Sequence, residues 1–131
     1  MVKLNASFII ERAREDEFLD WFEEKEDKAR KERKERRALK ASEEGRDSEP
    51  VKEGDDWADD FARKCEVLAL RDANGEDYID SESHTLAAQW KFFTLEDARE
   101  WRQRVLMPVM EEFMERFQPG CLYFTSIFYV L

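Results

Sequence analysis

Leu122-Tyr123-Phe124-Thr125-Ser126-Ile127-Phe128-Tyr129-Val130-Leu131 closes the chain and carries most of the information about its fold. Leu122, Phe124, Phe128 and Val130 alternate with Tyr123, Ile127 and Tyr129, the two-residue period of a strand. Only Thr125 and Ser126 are polar, so both faces of this strand call for cover. Gln118-Pro119-Gly120 stands directly before it and stops whatever helix precedes. The uncharged run from Phe117 to Leu131 holds 15 residues, short of the roughly 20 that a membrane-spanning helix needs.

Upstream, Ala98, Trp101, Val105, Val109, Phe113 and Phe117 recur at three- and four-residue spacing, which predicts a helix with that face on a sheet. Thr94, with Asp97 three residues on, opens it as a variant capping box. Pro108 lies inside the pattern and predicts a kink, because its ring clashes with the carbonyl of Arg104. Before this helix, Leu86, Ala88, Trp90 and Phe92 alternate with Gln89 and Lys91 as a strand. Glu66 to Leu70 forms its hairpin partner, and Asp72 to Ser83, with Asn74-Gly75, the connecting loop.

At the start, Leu4, Ala6, Phe8 and Ile10 alternate with Asn5 and Ser7, a further strand. Phe18, Leu19 and Phe22 then dock the beginning of a helix. Its apolar stripe ends at Phe22 while helix-forming residues continue to about Ala41, supported by acid-before-base pairs such as Glu26/Arg30 and Glu32/Arg36. Residues 28–40 carry eight Lys/Arg and two Asp/Glu; residues 41–60 carry two and nine. The basic arm is thus expected to fold back on its acidic follower. Ser42 to Gly54 has connector composition, and Asp55 to Lys64, with Trp57 and Phe61, reads as a short helix returning to the core.

The order β-α-β-β-α-β is a split βαβ arrangement, with strand order 4-1-3-2 and both helices on one face of a four-stranded antiparallel sheet. The expected class is α+β, ferredoxin-like, one domain over 1–131 with a long charged helical or disordered insertion at 28–54. The opposite sheet face is left bare, and the economical cover is a second copy; the alternative is that the charged arm or the loop from Asp72 to Ser83 folds over it. Cys65 and Cys121 then fall near opposite edges, too far apart to bond.

The opening strand through Ile10, the helix start at Phe18 to Phe22, Gln89-Trp90-Lys91-Phe92, Pro108 to Phe117 and the closing strand together resemble an uncharacterised bacterial domain family of the dimeric α/β-barrel, ferredoxin-like group. The resemblance covers roughly residues 1–27 and 61–131. It implies the fold and a homodimer, and no activity; the wider group contains small monooxygenases, haem-dependent enzymes and plain binding modules.

Composition narrows the function classes. Charged residues make up 41% of the 131 and hydrophobic ones 42%, with a net charge of −10. That balance argues against nucleic-acid and membrane partners. The first ten residues lack a cleavage-site pattern, and two separated cysteines without a disulfide framework fit a reducing, cytoplasmic setting. His84 is the single histidine; it reads as an exposed strand-end residue after Ser83 before an enzyme's general base beside a cavity lined by Trp90, Phe92 and Phe124. Trp90, Trp101, Phe113 and Phe117 read as core before pocket. Lys28 to Lys40 reads as a solvated face before an RNA site, and Asp55, Asp56, Asp59 and Asp60 as helix N-terminal charge before a cation site. No catalytic set, cofactor or metal site is expected. The expectation is a non-enzymatic homodimeric interaction module whose charged arm meets another protein; the alternative is a small enzyme or ligand carrier with a cavity between two sheets.

Overall fold

A computed structural model describes residues 1–43, 59–76 and 82–131. Its strands are β1 (Val2–Glu11), β2 (Cys65–Ala69), β3 (Ser83–Phe92) and β4 (Leu122–Tyr129); its helices are α1 (Glu15–Glu43), α2 (Leu95–Trp101) and α3 (Met107–Phe117). One antiparallel sheet runs in the order β2-β3-β1-β4, the expected 4-1-3-2 read from the other edge. The class is α+β.

Alternation sets the two sheet faces. Leu4, Ala6, Phe8 and Ile10 of β1 and Leu86, Ala88, Trp90 and Phe92 of β3 are all buried against the helices. The core between the layers is largely aromatic. Phe8 packs 4.8 Å from Phe18 and 5.3 Å from Phe113, and Trp90 lies 5.0 Å from Trp101. Such tilted and edge-on ring pairs add about 0.5–1.5 kcal/mol each beyond their area.

α1 enters through a 3-10 turn at Arg12–Arg14 and buries Phe18, Trp21 and Phe22. Leu19, expected in the core, is instead 37% exposed, because the i, i+3, i+4 set that meets the sheet is completed by Trp21. The helix continues to Glu43, and beyond Arg30 it is mostly exposed. That accords with the helix-forming but stripe-free sequence there.

α2 and α3 are joined by a π-helical turn, Arg102–Leu106, in which the Met107 N–H bonds back to the Arg102 carbonyl. Pro108 follows at once. The extra residue in the turn eases the clash that Pro108 would create in a regular helix, and it rotates the buried face by one position. Leu106 and Met110, not Val105 and Val109, follow Trp101 into the core; the two valines pack only partly against it. Thr94 caps α2 as expected, its side chain accepting from Asp97 N–H at 3.1 Å.

The expected short helix over Asp55–Lys64 is corrected where it is described. Residues 59–63 form bends and turns, with Arg63 N–H bonded to Asp60 O at 3.1 Å. Trp57, Asp55 and Asp56 lie outside the described residues, as does most of the acidic connector. Phe61 still anchors the return, packed 5.3 Å from Phe22 and 6.3 Å from Trp90. Arg14 ties the two helical segments together by donating to the Arg116 and Phe117 carbonyls at 3.0 Å each, capping α3.

Candidate functional site

The open face of the sheet is the main unassigned surface. Four cross-strand rows cover it. Lys91, Lys3 and Phe128 lie opposite one another; next come Glu66, Gln89, Asn5 and Ser126; then Leu68, Ala87, Ser7 and Phe124; then Thr85, Ile9 and Leu122. Leu70, whose N–H donates to Thr85 O at 2.9 Å, extends the last row. Leu68, Leu70, Leu122, Phe124 and Phe128 are all between 43% and 56% exposed. They form two apolar stripes, one on each edge strand, with shorter and more polar side chains between.

The middle of this face is pre-arranged. Asn5 is 4% and Ser7 8% exposed, shaded by their taller neighbours. Gln89 Nε2 donates to Asn5 Oδ1 at 3.1 Å, and Asn5 Nδ2 donates to Ser7 Oγ at 2.8 Å and to Ser126 Oγ at 3.4 Å. Both N–H groups and the oxygen of the Asn5 amide are therefore engaged within the sheet, so covering the row does not strand them.

His84 sits at the start of β3, opposite Ile10, and has a partner that no local pattern announced. Its Nδ1 lies 2.7 Å from Glu15 Oε2, and Arg12 Nε donates to its Nε2 at 3.2 Å. A neutral ring donating from Nδ1 and accepting at Nε2 fits both contacts. The expected cavity beside His84 is not assembled. Trp90 and Phe92 point into the helix-side core, whereas Phe124 stands on the open face of a different strand. Trp90, Trp101, Phe113 and Phe117 are all core residues, as read.

The basic arm does meet its acidic follower at one described point. Arg33 forms a two-pronged ion pair with Asp60, and Arg36 reaches the same carboxylate at 3.2 Å. Ala62 N–H donates to it at 2.9 Å. Burial pushes the Asp60 carboxyl upward, but the guanidinium of Arg33, the Ala62 amide and Arg36 outweigh that and hold it below the usual carboxylate range. Asp60 is thus an arm anchor, which corrects its reading as helix N-terminal charge.

Cys65 is half-buried beside Glu26, its thiol 3.8 Å from Oε2. Burial and that carboxylate push it up to about 12, the wrong direction for a nucleophile. Cys121 is buried at the other edge of the sheet, and both thiols are free. A cleft of about 180 Å³ is lined by Asp59, Arg63, Phe92, Asp97, Trp101 and Arg104, among others. There the Arg63 guanidinium stacks 3.9 Å over Phe92 and donates to the Lys91 carbonyl, so the arginine braces the strand end. Among the described residues no cluster of three or more His, Cys, Asp or Glu is placed to hold a metal ion, and no helix is long and apolar enough to cross a membrane.

Comparison of the chain with protein-family models, curated proteins and solved structures found no match.

Proposed function

We propose that this chain is a non-enzymatic interaction module of the ferredoxin-like, dimeric α/β-barrel kind, working in the cytoplasm as a homodimer that presents its charged α1 arm to another protein. The observation that carries the reading is the open sheet face, where large apolar side chains on both edge strands stand about half exposed around a self-satisfied polar row. Large apolar side chains grouped on one face, rather than scattered singly, mark an interaction surface. Each such side chain that passes from half exposed to buried contributes about 1 kcal/mol.

The arm supports the second half of the reading. It is mostly exposed beyond Arg30 and carries a dense set of cations that the sheet does not need for packing. Size-exclusion chromatography with light scattering tests the dimer: the wild-type chain is expected at twice its chain mass and a Phe124→Lys variant at the monomer mass. A wild-type monomer defeats the proposal. For the arm, a Lys31→Glu/Lys34→Glu variant is expected to lose a protein partner that the wild type retains in pull-down.

The alternative, a small enzyme or ligand carrier with its cavity between two sheets, draws on the His84–Glu15 pair. A dimer that retains extra mass under native mass spectrometry would favour it.

A further inference from the structure

The open face bears two apolar stripes rather than one patch, and their positions limit what can cover both at once. One stripe, Leu122, Phe124 and Phe128, belongs to β4; the other, Leu68 and Leu70, belongs to β2 at the opposite edge. A flat partner would have to match two separated ridges. A second copy of this chain carries the matching pair already.

Resting on the proposed homodimer, we infer its arrangement: the two-fold axis runs parallel to the strands between β1 and β3, so that β4 of each copy lies over β2 of the other. A rotation about that axis exchanges the two edges and leaves position along the strand unchanged. Row by row, Leu68 then faces Phe124 of the second copy, and Leu70 faces Leu122. In the polar row Glu66 meets Ser126, a carboxylate acceptor against a hydroxyl donor, while Gln89 meets Asn5. On the edge strands apolar therefore falls on apolar in two rows and donor on acceptor in a third, while the inner strands pair Ala87 with Ser7 and Thr85 with Ile9. Lys91 and Lys3 face each other only in the end row, which borders solvent.

The competing two-fold axis, across the strands, lays each strand on its own counterpart. With the axis along the polar row it stacks Glu66 on Glu66. With the axis along the next row it leaves Leu68 on Leu68 and Phe124 on Phe124, with no use for the complementarity between the edges. The inferred axis is therefore the one that satisfies the face with its own residues, as an isologous contact requires.

Charge exchange at one facing pair tests the arrangement separately from the dimer itself. Leu68→Glu and Phe124→Lys each place a charge in the interface, and each alone is expected to weaken the dimer by more than about 100-fold. Combined in one chain, they form two Glu–Lys pairs per dimer under the inferred axis, and dimerisation should recover by about tenfold or more relative to either single variant. Under the competing axis β2 stays on β2 and β4 on β4, so the two new charges never face each other and the double variant stays monomeric, which would overturn the inference while leaving the homodimer standing. A wild-type monomer would instead remove the reading on which it rests. Both positions are exposed in the single chain, so folding is checked by far-ultraviolet circular dichroism. The independent pair Leu70→Glu with Leu122→Lys repeats the test.

Discussion

Asp60 gathers two arginines from the arm and one backbone amide, and it is the residue where electrostatics most directly hold the fold. Asp60→Asn is expected to cost about 1–3 kcal/mol in urea denaturation at neutral pH, since hydrogen bonds to charged groups are being lost. The folded-state pKa of this group lies below its unfolded value. Its contribution is therefore complete above the unfolded carboxylate pKa, roughly 3.9, and disappears as pH falls through the folded value. The stability gap between wild type and variant should accordingly narrow in acid; a gap that stays constant down to pH 2 would exclude this origin. Gly120 is a second site at this scale. Its φ of +106° is a conformation that L side chains rarely adopt, and an added Cβ would run into the Glu11 carboxylate. Gly120→Ala should cost about 1–3 kcal/mol. Most of that cost should persist in a Glu11→Ala background, because the flexible carboxylate is the lesser obstacle; full rescue there would place the cost in the clash instead.

Between α2 and α3 the π turn decides which residues are core. Leu106→Ala should destabilise by about 2–5 kcal/mol, in the range for buried leucines. Val105→Ala, one position away and only partly buried, should cost less than about 1.5 kcal/mol. Equal losses in thermal or chemical denaturation would mean that the helix runs without the extra residue. This element also shows where sequence reading stops. Strand periodicity placed Leu4 to Ile10 and Leu86 to Phe92 correctly, because no bulge interrupts the pairing of β1 with β3 and the alternation keeps its phase throughout. Helix periodicity assumed one uninterrupted 3.6-residue repeat and so chose Val105 and Val109. The presence of Pro108 signalled a disturbance but not its form. At the start of α1 the same kind of phase choice favoured Leu19 over Trp21. Pairings between distant residues were illegible for another reason: Glu15 beside His84 and Asp60 beside Arg33 depend on how elements are brought together, not on local spacing. Of the open face, the β4 stripe was readable from alternation alone. The Leu68 and Leu70 stripe and the Asn5–Gln89–Ser126 row needed the register.

For the whole molecule, one layer of helices covers one sheet face, and a second chain is proposed to cover the other. Phe124 faces Leu68 of the second copy in the inferred dimer, so Phe124→Lys should abolish the dimer without unfolding the monomer. Its circular dichroism spectrum should stay that of the wild type while its mass in solution halves. The charged arm projects from the helical layer, on the opposite side of the sheet from the proposed interface, so dimer formation leaves it available. A Lys31→Glu/Lys34→Glu variant should therefore remain dimeric. The most direct single measurement is native mass spectrometry of the untagged wild-type chain at low micromolar concentration, beside its denatured mass. A species of twice the chain mass and no more is expected; a monomer at every concentration tested would overturn the proposed homodimer.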